Sequence, residues 1–204
     1  MGVWTDHVVP RIVDRTCGLA QLASPRQRVL DGLRGDVVEI GFGSGHSLAS
    51  YPAGVTRVWA VEPSATARRL AAERIASVGF PVEFVELDGD RIELPDDCAD
   101  GAVSTYTLCT VPSPLRTLHE LRRVLRSDGR LHIVEHGLSP DPAVARWQHR
   151  LTPIQRRVCG GCHFDRPIAE LVATAGFRIV ELRNSQLPGL KTAGYLYELI
   201  AEPS

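Results

Sequence analysis

The sequence contains Asp36-Val37-Val38-Glu39-Ile40-Gly41-Phe42-Gly43-Ser44-Gly45, in which an apolar strand runs directly into a glycine-rich turn. A segment with helical character follows the turn. Glu62 then ends the next apolar strand, at about the 20-residue distance that is typical of nucleotide-binding folds. This order of strand, turn, helix and acidic residue predicts a nucleotide-like cofactor site at the carboxyl edge of a parallel sheet.

Strands and helices alternate outward from this stretch. The predicted strands are Val37–Gly41, Arg57–Val61, Val82–Leu87, Ala102–Thr107 and Arg130–Glu135. The predicted helices between them are Ser44–Ser50, Ser64–Val78 and Leu115–Leu125. An earlier helix is predicted from Ser24-Pro25 to about Leu33, and Pro10 is expected to break the helical pattern of Trp4–Leu22. Such alternation predicts a parallel sheet with helices on both faces.

The end of the chain follows a different pattern. A helix is predicted at Arg166–Ala175, with Gly176 as its C-cap, and strands at Phe177–Leu182 and Tyr195–Ala201. The connection between the two strands has little room for a crossover helix, so the last strand should be antiparallel to its neighbour. The predicted fold is a Rossmann-like α/β fold with a seven-stranded mixed sheet, six strands parallel and the last one antiparallel.

The 204 residues suit one domain with a substantial core. We expect residues 1–34 to form an N-terminal helical lid and residues 35–137 the cofactor-binding half. Residues 138–165 should form a lid and acceptor segment, and residues 166–204 the C-terminal helix and strand pair. Trp4, His7 and Arg11 belong to the first lid segment.

The glycine spacing indicates which cofactor binds. Glycine lets the backbone turn sharply and approach a ligand, and the helix that follows offers unpaired N–H groups. Dinucleotide sites use G-x-G-x-x-G. Here the spacing is G-x-G-x-G, and His46 stands at the third glycine position. This pattern favours S-adenosyl-L-methionine, whose carboxylate suits the turn, over a nicotinamide dinucleotide.

Further cofactor contacts are expected at the ends of the neighbouring strands. Glu62 should hold the ribose hydroxyls, because a carboxylate accepts two hydrogen bonds. Asp90 and the Arg91 N–H suit the adenine. Ser104 and Thr105 should approach the methionyl end. The predicted cofactor-binding residues are Glu39, Gly41, Gly43, Gly45, Glu62, Pro63, Gly89, Asp90, Arg91, Ser104 and Thr105.

Several runs of sequence together resemble a known family. They are the glycine stretch, Tyr51-Pro52-Ala53-Gly54, the run from Ser104 to Val111 with Thr107-Leu108-Cys109-Thr110 inside it, Leu121 to Arg126, Glu135-His136 and Gly161-Cys162-His163. In these the chain is similar to the small bacterial class I methyltransferases related to the animal methyltransferase-like thiol methyltransferases. The resemblance covers about residues 36 to 200.

The resemblance implies an S-adenosyl-L-methionine-dependent enzyme that methylates a small, fairly apolar acceptor, with a thiol as the leading candidate and S-adenosylhomocysteine as product. A quinol, a phenol or a lipid amine is the alternative acceptor. Two other classes of function stay open at this point: a nicotinamide-dependent oxidoreductase, and a scaffold that binds cofactor without catalysis. The animal members carry an N-terminal membrane anchor, which is not expected here.

Two histidines are candidate catalytic residues. His136 follows the fifth predicted strand at the ligand-binding edge, and His163 precedes the helix at Arg166. One of them could orient or deprotonate the acceptor, or both could be structural histidines that brace the lid. Cys159-Gly160-Gly161-Cys162-His163 also matches haem attachment, a zinc half-site or a redox pair. None of these is favoured, and no metal site is predicted.

Composition limits the partners. The net charge of −1 gives no reason to expect nucleic acid as a partner. No apolar run reaches the ~18 residues that a bilayer requires, and no signal peptide is recognisable, so no stable membrane insertion is expected. The five cysteines are typical of reduced cytoplasmic thiols. We expect a cytoplasmic protein, monomeric or homodimeric, that acts on a small molecule.

Overall fold

A computed structural model describes residues 7–89, 91–158 and 160–204. The helices are α1 (Val9–Cys17), α2 (Ala20–Leu30), α3 (Ala65–Ala76), α4 (Pro114–Val124), α5 (Pro142–Val158) and α6 (Ile168–Thr174). The strands are β1 (Gly35–Ile40), β2 (Val55–Val61), β3 (Val82–Val85), β4 (Leu87–Asp88), β5 (Arg91–Ile92), β6 (Ala99–Thr105), β7 (Leu125–His136), β8 (Phe177–Gln186) and β9 (Tyr195–Pro203). His46–Ser50 forms a 3₁₀ helix.

Seven of these strands form one sheet, in the order β3-β2-β1-β6-β7-β9-β8. The pairs from β3 to β7 are parallel, whereas β9 runs antiparallel to both β7 and β8. β9 lies between β7 and β8, so the remaining six strands share one direction. The predicted fold class is therefore confirmed, including the antiparallel last strand. The short strands β4 and β5 form a separate hairpin.

Alternate residues of β1 pack on opposite faces of the sheet. Val38 and Ile40 belong to a buried cluster that includes α4 and α6, through Leu118 and Ile168. Val37 belongs to a second cluster that includes α2 and α3. Burial of each such side chain stabilises the fold by about 1.5–3 kcal/mol. These two layers cover both faces of the sheet, and the loops at its carboxyl edge extend from this packed core.

The N-terminal helices differ from the prediction at both prolines. Pro10 does not break a helix but lies in the first turn of α1, where its missing N–H would have no intrahelical partner. Pro25 does not start a helix, because α2 begins at Ala20 and carries Pro25 inside it. The predicted C-cap is one residue too late: α6 ends at Thr174 with Ala175 as its C-cap, and Gly176 follows the cap with φ of 83°.

Candidate active site

The turn after β1 is the backbone foundation of the site. Gly41, Gly43 and Gly45 have φ of 60°, 58° and 80°, a region that strains any residue with a Cβ. At Gly41 a Cβ would also lie 2.2 Å from the side chain of Thr107, a residue of the loop after β6. The glycines therefore let the β1 turn pack directly against the β6 loop.

Glu62 fixes this turn from the end of β2. One carboxylate oxygen accepts a hydrogen bond from the Gly43 N–H at 2.9 Å, and the other accepts from the Ser64 N–H at 2.7 Å. Burial raises the pKa of Glu62, and these two hydrogen bonds oppose the rise. The carboxylate thus joins the glycine turn to the start of α3 and keeps lone pairs for a ligand.

A cavity of about 430 Å³ lies beside Glu62, between the ends of β1 and β2 and the loop after β6. Gly41, Glu62, Pro63 and Gly89 are predicted cofactor residues in its wall. The wall also includes Ile92, Thr107, Thr110, Val111 and Glu120. A carboxylate beside an apolar slot suits an adenosine group. The ribose hydroxyls need hydrogen-bond acceptors, and the faces of the adenine ring need apolar contacts.

A smaller cavity of about 190 Å³ shares Gly41, Glu62 and Thr107 with the first and also reaches Gly43 and Thr105. Arg26 of α2 lines it. This side chain is 4% exposed, and its Nε is buried with no hydrogen-bond partner. The Nη2 of the guanidinium donates to the Cys17 carbonyl at 3.1 Å, and the Nε–H that remains without a hydrogen bond fits the carboxylate of an amino-acid tail. The donor set therefore fits S-adenosyl-L-methionine.

Two of the predicted cofactor-binding residues, Glu39 and Ser104, are buried behind the cavity walls and are called the support layer below. Glu39 is fully buried and accepts a hydrogen bond from the Tyr51 hydroxyl at 2.7 Å. Burial raises the pKa of Glu39 to about 7, although the hydrogen bond from Tyr51 opposes this rise. Ser104 is also buried and donates to Glu135 at 2.9 Å. Neither residue belongs to the described lining of the two cavities.

The remaining predicted adenine contacts are placed differently. Asp90 lies outside the described residues. The side chain of Arg91 is exposed and lies 4.0 Å from the Asp96 carboxylate, and it is not part of the described cavity lining. Among the described residues of this turn, Gly89 therefore lines the cavity that is predicted to bind the cofactor.

Glu135 organises the loop after β6. Its fully buried carboxylate accepts hydrogen bonds from the backbone N–H groups of Thr107, Leu108 and Cys109, at 2.6, 2.7 and 3.4 Å. Burial raises the pKa of Glu135, while these N–H groups oppose the rise. One carboxylate thus sets the loop that separates the cofactor cavities from the rest of the site.

A third cavity, of about 440 Å³, lies on the far side of this loop. Its wall is mainly apolar and includes Ile12, Leu19, Leu22, Phe164, Leu187, Leu190 and Leu196. None of the described residues in its lining is acidic. Val9, Val13, Cys17, Tyr106 and Thr110 line both this cavity and the Arg26 cavity, so the two spaces meet at a common wall.

His136 lies in the wall of the apolar cavity together with Cys109 and Cys162. Its Nε2 is 2.9 Å from the Cys162 Sγ, and its ring lies 5.6 Å from that of Phe164. Hydrogen bonds from Cys109 and His136 lower the pKa of Cys162 to about 5. Burial acts to lower the pKa of His136, but the Cys162 side chain raises it. The hydrogen bond to Cys162 and burial raise the pKa of Cys109.

His163 does not face this cavity. Its backbone N–H donates to the backbone carbonyl of Cys109 at 2.8 Å, and its ring Nδ1 lies 3.7 Å from the Asp165 carboxylate. Burial and the nearby Arg166 and Arg156 lower the pKa of His163. The expectation that both histidines line the acceptor pocket therefore needs correction, because the backbone contact turns the 162–163 loop so that Cys162, and not His163, lines the pocket.

Sequence reasoning missed Arg26, Cys109 and Glu135 as parts of the site. Arg26 sits in a helix that carries no motif, so only its burial reveals it. Cys109 and Glu135 stand inside runs that carried the family resemblance, yet their partnership depends on contacts between β6 and β7. Buried carboxylates and thiols in adjacent apolar runs are the signal that could have found them.

Comparisons with known proteins agree with this geometry. Residues 38–133 match the family described as a methyltransferase domain. Human thiol S-methyltransferase TMT1B is 31% identical over 168 residues, which cover 79% of this chain and 68% of that protein. Phosphatidylethanolamine N-methyltransferase of Cereibacter sphaeroides is 29% identical over 174 residues, which cover 83% and 84% of the two chains. The chain spans 61% of the rat TMT1B protein.

A solved S-adenosylmethionine-dependent methyltransferase from Mesorhizobium loti shares the fold, with a TM-score of 0.66 at 17% identity over 91% of this chain and 98% of that one. Within the described residues, no helix has the length and apolar character that crossing a membrane requires. The chain therefore belongs to the class I S-adenosylmethionine-dependent methyltransferases related to the TMT1 family, with S-adenosyl-L-methionine as methyl donor and S-adenosylhomocysteine as product.

Proposed function

We propose that this methyltransferase transfers its methyl group to the sulfur of a small, apolar thiol. The observation that carries the proposal is the common wall of the Arg26 cavity and the apolar cavity, formed by Val9, Val13, Cys17, Tyr106 and Thr110. A donor whose amino-acid tail reaches Arg26 has its sulfonium near this wall. An acceptor in the apolar cavity approaches from the other side.

The lining of the apolar cavity favours a thiol over an amine. An amine is protonated at neutral pH and must lose both its proton and its hydration to react there. The described lining offers no carboxylate to pair with such a cation. A thiol is only weakly hydrogen-bonded in water, so its transfer into an apolar cavity costs less. The likeness to human TMT1B, a thiol S-methyltransferase, supports the same acceptor class.

The reaction is an in-line displacement on an activated sulfonium, so the protein contributes mainly by positioning the reactants and excluding water. We assign Glu62 and Arg26 to the donor and the apolar wall to the acceptor. Helices α1 and α5 supply Val9, Val13 and Gln155 to the cavity walls, and we assign them the role of the lid. His136, in the wall of the apolar cavity, orients the acceptor sulfur.

An assay with labelled S-adenosyl-L-methionine tests this assignment. Alkyl thiols, hydrogen sulfide, quinols and phospholipid amines would be offered separately and in competition. We expect saturable formation of methyl thioethers from the alkyl thiols, at a higher kcat/KM than for any other class. Labelled product from quinols or phospholipid amines alone would refute the thiol assignment and leave the donor site intact.

Single-turnover rates test the role of His136. His136→Gln should slow methyl transfer to a thiol about 10-fold, the loss expected from one positioning hydrogen bond of about 1.4 kcal/mol. His163→Gln is the matched control, because His163 faces Asp165 instead of the cavity. Near-normal rates in both variants would remove His136 from the mechanism.

A further inference from the structure

We propose that Cys109, His136 and Cys162 form a binding site for a thiophilic divalent cation, with zinc as the reference metal. The two Sγ atoms and one ring nitrogen all lie within 4.8 Å of one another. The residues come from three separate parts of the chain: the loop after β6, the end of β7 and the loop after α5. Their convergence therefore depends on the tertiary fold and not on a local motif.

The ligand types and their spacing suit zinc. Two thiolates and one imidazole are an established set for a zinc ion that keeps a fourth position open. With Zn–S of about 2.3 Å and Zn–N of about 2.0 Å, tetrahedral ligand atoms lie roughly 3.5–3.8 Å apart. The His136 Nε2–Cys162 Sγ distance of 2.9 Å would have to widen by about half an ångström.

Neighbouring contacts hold the ligands in place before any metal arrives. Glu135 accepts from the Cys109 N–H, and the Cys109 carbonyl accepts from the His163 N–H at 2.8 Å, so the two cysteine loops are joined through the backbone. The His136 ring packs against Phe164. Such outer contacts orient metal ligands and increase affinity.

The burial of the two cysteine ligands also favours a zinc ion at this site. Cys109 and Cys162 are 1% and 5% exposed. A divalent cation with two thiolates and a neutral imidazole is uncharged as a unit, which suits a site with little access to water. All three ligand residues line the apolar cavity, so the open fourth position would face the acceptor, and His136 would position the acceptor sulfur through the metal.

A metal that faces the acceptor would also activate the thiol, and this one step rests on the proposed function. A thiol that takes the fourth position releases its S–H proton to solvent, because metals bind thiolates. The bound sulfur then donates its electron pair to the methyl carbon. The methyl–sulfonium bond breaks, and its electron pair stays on the donor sulfur, which gives S-adenosylhomocysteine and the methyl thioether.

Metal binding is tested first, without reference to activity. Reduced protein should bind one equivalent of Zn²⁺ with Kd below about 1 µM, measured by competition with a chromophoric chelator. Co²⁺ in the same site should give the intense visible bands of tetrahedral coordination and thiolate charge transfer in the near ultraviolet. Cys109→Ser and Cys162→Ser should each lose these bands. Cys98→Ser is the matched control and should keep them, because Cys98 lies outside the cluster.

Calorimetry with S-adenosylhomocysteine shows whether each variant is folded. A variant that binds it normally and has lost Co²⁺ absorption supports the site. No stoichiometric metal in the reduced wild-type protein, or spectra unchanged in both cluster variants, would overturn it. Addition of an alkyl thiol should alter the Co²⁺ charge-transfer bands. If metal binds at the cluster but no thiol is methylated, the thiol function fails while the metal site stands.

Discussion

The cofactor side of the site is made of backbone turns and charged groups, whereas the acceptor side is an apolar cavity walled by side chains from distant parts of the chain. Gly41, Gly43 and Glu62 occur within two consecutive strand–turn units. The apolar cavity instead draws on α1, α2, the β6 loop, the Cys162 loop and the segment before β9. A donor shared by a whole family needs a constant local frame, while an acceptor pocket varies with its walls.

The largest expected effect is at Gly41, which lines both cavities of the cofactor side and packs against Thr107. Gly41→Ala adds left-handed strain of about 1–2 kcal/mol and a clash with Thr107. We expect S-adenosylhomocysteine affinity, measured by calorimetry, to fall more than about 100-fold. Gly32→Ala is the control, because its φ of 81° brings the same strain with no atom within 4 Å. Wild-type affinity in Gly41→Ala would show that the turn does not hold the cofactor.

Arg26 tests whether the amino-acid tail occupies the smaller cavity. Arg26→Gln removes a buried guanidinium, and charged hydrogen bonds contribute about 1.5–3 kcal/mol. Affinity for S-adenosylhomocysteine should fall about 20-fold, while affinity for methylthioadenosine, which lacks the tail, should stay constant. Arg57→Gln is a control for loss of an arginine outside the cavity, since the Arg57 Nε makes no hydrogen bond and lies 3.7 Å from the Glu83 carboxylate. Equal losses for both ligands in Arg26→Gln would contradict this placement.

Glu39 tests the support layer beneath the cofactor side. Burial raises its pKa from 4.5 to about 7, so the folded state keeps a proton that the unfolded chain releases. Its contribution to stability is therefore full below pH 4.5 and is lost as pH rises through 7. Glu39→Gln should remove this loss, on the order of 2 kcal/mol between pH 5 and pH 8 in urea unfolding. An unchanged slope against pH would mean that Glu39 is ionised throughout.

The smallest effect is expected on the acceptor side. Each methylene added to an alkyl thiol should raise kcat/KM about fourfold until the cavity is full, from burial of about 0.8 kcal/mol. Leu187→Asn places an amide in the wall and should lower kcat/KM for a long thiol about fivefold. Affinity for S-adenosylhomocysteine should not change. Leu182→Asn, at an exposed leucine of β8 outside the cavity, should match the wild type. Loss of S-adenosylhomocysteine affinity in Leu187→Asn would contradict the separation of the acceptor cavity from the cofactor side.

The same division explains what the sequence could predict. The parallel sheet, its antiparallel β9 and the glycine turn follow from local patterns of apolar residues and glycines, and the structure confirms the sheet. Glu62 and Gly89 could be found because strand ends in a parallel sheet share an edge. The predicted roles of Pro10 and Pro25 were wrong. Pro10 lies in the first turn of α1 and does not break a helix, and Pro25 lies inside α2 and does not start one.

The acceptor side could not be predicted to the same degree. His136 was identified from its position after an apolar strand, but its contact with Cys162 requires the loop after α5 to fold back onto β7. Arg26 is recognisable only through its burial beside the glycine turn. These pairings join residues far apart in the chain, and no periodicity or spacing encodes them.

The position of the donor sulfur tests the central claim most directly. A crystal structure with S-adenosylhomocysteine should show the ribose at Glu62 and the carboxylate at Arg26 and the glycine turn. The sulfur should then lie at the wall formed by Tyr106 and Thr110, facing the apolar cavity. A sulfur that points away from this cavity, or a product bound elsewhere on the protein, would contradict the account.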